Sequence, residues 1–549
     1  MGMMLRTAPL LLSVSGLCLL GQPRDYGRSM VITQQGMAAT SQTLASQAGA
    51  QILAKGGSAV DAAIAANAVL GVVEPMMNGI GGDLFVIYWD AKSGKLTGLN
   101  ASGPAPRALS PEFLKAKGLK TIPEGIHTVT VPGAVDGWAK MHERFGKLPW
   151  KDLFQAAIAY AEEGFPVTED AQRYWVRRTQ PETNRVFQPG GRAPGVGEVF
   201  RNPDMARALR VIAEKGRDAF YKGEIAEAIL KTSKSLGGTM TAEDLSAFSA
   251  EWVEPISSEY RGWRVYELPP NSQGIAALEM LNIMETTPAA KGGPYTAEEL
   301  HRRIEAMKLA YSDLRYNGDP KFADIPLRGL LSKDYARKRA AAIDPAKANC
   351  SVAAGTPVFG ETTYLTTVDK DGNIASWIQS LFNYFGSGVT VEGMGFLLHD
   401  RGDNFTLTPG SPNVLAGGKR PSHTIIPGFM EKGDQHIGFG IMGGSNQAMA
   451  HAQFVSNVVD YGMNVQQAME SARFRKTGAP GCDVRIEGRV PAPVIQGLRD
   501  RGHQVEVISA YDSSATGRGQ AILYNSTTKT KFGASDPRAD GSAVPEPIR

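Results

Sequence analysis

"GETTYLTTVDKDGNIASWIQS", residues 360–380, is the stretch on which the reading of this 549-residue chain turns. Two runs rich in β-branched and aromatic residues flank Asp369-Lys370-Asp371-Gly372, a strong hairpin-turn signal. If Lys370, Asp371 and Gly372 form a three-residue loop with Gly372 left-handed, Asp369 pairs with Asn373 and Thr362 faces Ser380. A two-residue loop would put Gln379 opposite Thr362 instead. In the first register two hydroxyls meet at the mouth of the hairpin. Directly upstream lies "DPAKANCSVAAGTPVFGE", 344–361, poor in periodicity and rich in small residues. Such a segment is expected to be exposed, mobile and open to cutting.

A cut between Glu361 and Thr362 would give Thr362 a free α-amine beside its own hydroxyl. An α-amine has a pKa of about 8. It can take the Oγ proton as the oxygen attacks a carbonyl, so no separate histidine is needed. Ser380 would orient the amine or the nucleophile. Without a cut, the same threonines are simply good strand formers.

Composition narrows the alternatives. Apolar residues make up 42% of the chain, enough for a large core, and the net charge is only +3 with no basic block. Nucleic acid is therefore not an expected partner. The eight histidines are scattered singly and read as structural; CxxC and HExxH are absent, and no metal or organic cofactor is implied. Residues 1–24 have the form of a signal peptide: Arg6, then the short apolar run "TAPLLLSVSGLCLLG", then "QPRDYGRS". This predicts a secreted or periplasmic protein with no membrane span in its mature form. Removal of Cys18 with that segment leaves Cys350 and Cys482, so at most one bridge.

The chain reads as mixed α and β, with sheets covered by helices. Residues 41–72 give two helices, the first ending at Gly56-Gly57 and the second opening at Ser58 with Asp61 in its first turn. "GIGGDLFVIYWD" is a glycine turn into a buried strand; it precedes a strand and lacks the Lys-Ser/Thr of a phosphate-binding loop. "GIHTVTVPGAVDGWAK" is expected to carry an alternating strand ending at Pro132-Gly133. Helices are expected over 151–163, 204–215 and 223–236, and Thr296 with Glu299 forms a capping-box pattern. From 362 onward strands are expected at "TTYLTTV", "NIASWIQS", "MGFLLHD", "HIGFGIMGG" and "QAILYN", with helices over 445–461, 464–473 and 491–502.

At this point the chain resembles the γ-glutamyltransferase (glutathione hydrolase) family of N-terminal nucleophile hydrolases. The resemblance covers about residues 30–540 and rests on ordered blocks: "GGSAVDAAIAANAVLGVVEP", "GIGGD", "TVPGAVDGW", "PPNSQG", "HRRIEAMKLAYSDLRYNGDP", "TTYLTTVDKDGN", "FGSGV", "KRP", "MGGS" and "GASDPR". It implies an αββα four-layer sandwich made as a self-cutting proenzyme. Its products would be a large subunit, residues 30–361, and a small catalytic subunit, residues 362–549, forming a heterodimer of the chain's own fragments within one domain. By position Thr362 resembles the family nucleophile, Ser380 the hydroxyl that bonds its amine, and Gly443 and Gly444 an oxyanion-binding turn.

The substrate-reading positions depart from the family pattern. The arginine that usually holds the substrate α-carboxylate, three residues before an Ala-Pro, is here Ser102, with Arg107 on the far side. The asparagine just past the second hairpin strand is Phe382. The Gln and Asp that help hold the ammonium align with Arg401 and Asn404, and the Ser-Ser pair after "KRP" with His423 and Thr424. Arg401 would repel an ammonium and pair with a carboxylate. Three readings follow: γ-glutamyl hydrolysis or transfer to water or an amine, an acylase for another amide such as a glutaryl one, and a non-catalytic binding protein with the same fold.

Overall fold

The computed structural model describes residues 26–176, 180–352 and 360–548. The expected leader, residues 1–24, and residues 353–359 of the small-residue segment lie outside the described residues. Two seven-stranded sheets dominate. One runs, edge to edge, Val31–Thr33, Lys531–Ser535, Arg518–Asn525, Gln435–Met442, Gly428–Lys432, Trp263–Glu267 and Ile256–Tyr260. The other runs Ser542–Pro545, Met37–Thr40, Glu361–Val368, Ile374–Phe382, Asp83–Asp90, Lys95–Ala101 and Glu251–Val253. Neighbouring strands in both are antiparallel.

Strand periodicity explains the layering. Along Asp83–Asp90 the side chains of Phe85, Ile87 and Trp89 point between the sheets, where they meet Tyr364, Ile378, Phe429, Ile522 and Tyr524. Leu84, Val86 and Tyr88 point the other way, onto a helical layer that includes Ala59–Val73 and Ala134–Phe145. The first sheet's outer face, with Val265, Ile437 and Ile441, is covered by Gly274–Glu285, Ala297–Asp313 and Asn446–Tyr461. The αββα sandwich expected from the resemblance is therefore present. No helix among the described residues is long and apolar enough to cross a membrane.

The three-residue hairpin loop is present: Asp369 N–H donates to Asn373 O at 3.1 Å, and Gly372 has φ +94°. Thr363 pairs with Gln379 and Val368 with Ile374, the register in which Thr362 faces Ser380. At the strand start the register shifts, with Glu361 opposite Phe382, so Thr362 sits at a bulge.

Several expectations change. The Val129–Gly133 stretch is not a strand; Ile126–Thr128 is a 3₁₀ turn, and the buried segment after it joins no sheet. Its Val131 N–H goes to the Pro104 carbonyl at 3.0 Å, so alternation there reflects burial among loops. "MGFLLHD", 394–400, likewise makes only isolated bridges, Leu397 to Thr390 and Leu398 to Gly81. Thr296 caps its helix, but Glu299 does not complete the box: its carboxylate is taken by Arg302 and Arg303, which hold it at about 2 against burial. The Ser58/Asp61 box is complete. Residues 344–351 are mostly exposed as expected, yet they are fastened by a disulfide, Cys350–Cys482.

A Cβ at Gly372 would fall 2.4 Å from the Tyr524 ring, and its φ is unfavourable for an L side chain. Gly372→Val is expected to destabilise the fold by roughly 2–4 kcal/mol. Calorimetry reads this as a lowered Tm, and an unchanged Tm would contradict the assigned turn.

Candidate active site

The hairpin places Thr362 and Ser380 together. Thr362 Oγ1 donates to Ser380 Oγ at 3.2 Å, and both residues are buried. Ser380 Oγ also accepts the Phe382 N–H at 2.7 Å, so the serine hydroxyl is fixed by the strand end. A third side chain converges on the pair: Gln447 Nε2 donates to Thr362 Oγ1 at 3.4 Å, while its Oε1 accepts the Ile426 N–H at 3.0 Å. Gln447 lies in the first turn of helix Asn446–Tyr461. The turn that opens this helix is Gly443-Gly444, with φ of +134° and +58°.

This turn is braced from the layer above. Gln273 Nε2 donates to the carbonyls of Gly444 at 2.9 Å and Thr424 at 2.6 Å. The Tyr311 hydroxyl donates to Ser445 O and accepts the Met449 N–H at 3.1 Å. The amides of the glycine turn thus precede the positive end of a sixteen-residue helix. Developing negative charge is stabilised at such a position. Gln273, Tyr311 and Gln447 were missed by the sequence reading. The first two sit in the blocks "PPNSQG" and "HRRIEAMKLAYSD", which pointed to a family without pointing to these roles.

The acyl-side positions form a second network around Asp83, the last residue of "GIGGD". Asp83 pairs with Ser380 across neighbouring strands. Close approach is possible because a Cβ at Gly82 would fall 2.5 Å from the Ser380 carbonyl oxygen. Asp83 Oδ2 accepts three bonds of 2.9 Å, from His399 Nδ1, Arg401 Nε and His423 Nε2. Arg401 is wholly buried; its Nη1 donates to Thr424 Oγ1 at 3.0 Å and its guanidinium centre lies 4.4 Å from the Phe382 ring centroid. Burial lowers the Arg401 pKa against the opposing pull of Asp83. Burial also raises Asp83, but its imidazole partners hold it well below the carboxylate range. Burial and the adjacent Arg401 push His423 down to about 3, so it is a neutral imidazole. Its Nδ1 accordingly accepts the Ile425 N–H at 3.4 Å.

Arg401, expected from the sequence to pair with a carboxylate of the substrate, is paired here with the carboxylate of Asp83, which balances its charge. Among the described residues, Arg401 Nη2, Asp83 Oδ1 and Asn404 Oδ1 find no hydrogen-bond partner. Asn404 otherwise donates to Ser422 O at 2.9 Å and, with His423 and Thr424, lines a small cavity that also meets Gln273, Tyr311 and Ser445. Ser102 is held among amides, its Oγ accepting from Asn271 Nδ2 at 3.2 Å, and Arg107 is exposed against Glu243. The reading of the histidines as separate structural residues is revised: the fold brings His399 and His423 onto one carboxylate, and His301 within 2.8 Å of His503.

The four-layer fold is that of the N-terminal nucleophile class of amide hydrolases. Within that class the chain belongs to the gamma-glutamyltranspeptidase family, whose profile matches residues 45–546. It is 39% identical to the glutathione hydrolase-like YwrD proenzyme of Bacillus subtilis, covering 94% of this chain and 99% of the relative. It is 31% identical to the glutathione hydrolase proenzyme of the same organism, covering 95% and 94%. Among solved structures it matches cephalosporin acylase from Bacillus halodurans at 44% identity with a TM-score of 0.89, covering 95% of this chain and 98% of the other.

Removing the Asp83 charge leaves Arg401 a buried, uncompensated cation. Asp83→Asn should cost about 3–5 kcal/mol in urea unfolding. The double variant Asp83→Asn/Arg401→Met should lose less than the sum of the two single changes. Acid provides a second check. His423 is neutral when folded down to about 3 but takes a proton near pH 6.5 when unfolded. The unfolded state therefore gains protons first, and stability should fall by about 1.4 kcal/mol per pH unit for this group as pH drops from about 6.5 toward 3. Unfolding free energies across that window should show a shallower slope for His423→Gln.

Proposed function

We propose that the protein is a self-processing amide hydrolase whose nucleophile is Thr362, freed as an N-terminus by cleavage after Glu361. The observation that carries this reading is the convergence of Ser380 and Gln447 on Thr362 Oγ1, beside the helix that the glycine turn opens. In processing, Thr362 Oγ attacks the Glu361 carbonyl carbon. The acyl group moves from nitrogen to oxygen, and water hydrolyses the ester to give a Glu361 carboxylate and a free Thr362 α-amine. In the uncut chain Thr362 is only 1% exposed, and Gly360 packs against the Phe382 ring. Cleavage is thus also the step that would uncover the acyl side of the site.

In turnover the α-amine takes the Thr362 Oγ proton as Oγ attacks the substrate carbonyl. The amides of Gly443 and Gly444 receive the oxyanion, worth about 3–4 kcal/mol for such a donor. The amine product leaves with the proton, and water or an acceptor amine takes the acyl group from Thr362. Ser380 and Gln447 keep Oγ in position throughout.

For the acyl group, the geometry favours a non-γ-glutamyl amide, such as a glutaryl one, over a γ-glutamyl amide. Ser102 and Phe382 supply no charged group for an α-amino acid. Arg401 is held by Asp83 with Nη2 left to donate to an acyl oxygen. The likeness to an acylase structure supports the same choice. The names of the Bacillus subtilis relatives favour the γ-glutamyl alternative. The signal-like residues 1–24 would place either activity outside the cytoplasm.

Thr362→Ala is expected to remain a single chain on a reducing gel and to lose all activity; cleavage in that variant would refute the nucleophile. With the processed protein, kcat/KM should be higher for a glutaryl anilide than for a γ-glutamyl anilide, and the reverse order would return the site to γ-glutamyl chemistry.

A further inference from the structure

Cys350 and Cys482 lie on opposite sides of the Glu361–Thr362 bond and are joined by a disulfide with Cα atoms 4.9 Å apart. We propose that this bond is the covalent link between the two chains of the mature protein. The proposal rests on the cleavage given under Proposed function. Before cleavage the disulfide closes a loop within one chain. Once the 361–362 peptide bond is hydrolysed, Cys350 belongs to the large fragment and Cys482 to the small one, and the same bond becomes an inter-chain bridge.

The neighbourhood is built to hold the two sides in register. Gly481 N–H donates to Cys350 O at 3.1 Å, and Ala348 N–H donates to Arg501 O at 2.7 Å. Just beneath, His301 and His503 share a hydrogen bond of 2.8 Å, again one residue from each prospective fragment. His301 Nε2 donates to Asp344 O at 2.8 Å, which leaves Nδ1 to accept from His503. Glu305 lies close to His503, but Lys308 Nζ is 2.6 Å from Glu305 Oε1 and 3.2 Å from Asn349 O. The Lys308 ammonium thus neutralises Glu305 while holding the Asn349 carbonyl, and the cluster acts as a clamp on residues 344–350.

The consequence is mechanical. Of the large fragment's new C-terminal end, only residues 351–361 lie beyond the bridge, a reach of about 40 Å at full extension. Separation of the fragments becomes an intramolecular opening in place of a bimolecular dissociation. Formation of the bond takes two electrons and two protons from the thiols and delivers them to an acceptor disulfide, which is reduced to two thiols. That chemistry belongs to an oxidising compartment outside the cytoplasm.

The processed protein, with free thiols alkylated before denaturation, should run as one full-length band without reductant and as two fragments with it. Two fragments without reductant would overturn the proposal. A tryptic map of the unreduced protein should contain one peptide pair joining Cys350 to Cys482. Absence of that pair overturns the bridge whether or not the chain is cut. A single band with reductant overturns the cleavage and the inter-chain role together, while the map still reports the bridge separately. In the processed Cys350→Ser/Cys482→Ser variant, Tm should rise with protein concentration, whereas the parent's should not. A concentration-independent Tm in the variant would remove the role assigned to the bond.

Discussion

Antiparallel pairing of Glu361–Val368 with Ile374–Phe382 is the constraint on which the rest depends. It occupies the middle of one sheet, with Met37–Thr40 on one side and Asp83–Asp90 on the other. A slip of one residue would turn every side chain to the opposite face. Tyr364 and Ile378 would leave the inter-sheet core, and Thr362 would part from Ser380. The left-handed Gly372 at one end and the bulge at Thr362 at the other fix that register and tilt the hydroxyl toward Ser380 and Gln447.

The same pairing brings Asp83 beside Ser380, which joins the hydroxyl cluster at Thr362 to the Asp83 network. A run of direct contacts leads from Thr362 to Ser380, to the Phe382 N–H, to the guanidinium over the Phe382 ring and on to Asp83. One buried carboxylate supports an arginine and two imidazoles, so the acyl side is close to neutral overall while still carrying a directed donor. This differs from a site with an exposed cation, because the charge is balanced within the protein.

Both sheets draw strands from either side of the Glu361–Thr362 bond. Val31–Thr33 pairs with Lys531–Ser535, Met37–Thr40 with Ser542–Pro545, and Trp263–Glu267 with Gly428–Lys432. The interleaving means that a cut at this bond removes no layer of the core. The Cys350–Cys482 bond and the histidine clamp then reinforce, at the periphery, a junction that the sheets already make in the centre.

By itself the sequence determined the hairpin, with its register narrowed to two choices, the two helices within 41–72, the cap at Ser58 and the candidate nucleophile. These are short-range signals: strand alternation, a turn glycine and a capping carboxylate act within a few residues of one another. Only the tertiary structure decided that Asp83 would receive Arg401, His399 and His423, that Gln447 would reach Thr362, and that Cys350 would meet Cys482 across 132 positions. It also decided that 129–133 and 394–400, alternating as strands do, would be buried without joining a sheet. The reason is common to all of these: a long-range ion pair, a convergent hydrogen bond or a missing ladder partner leaves no mark in the local pattern, because its other half is supplied by a distant segment brought near by packing.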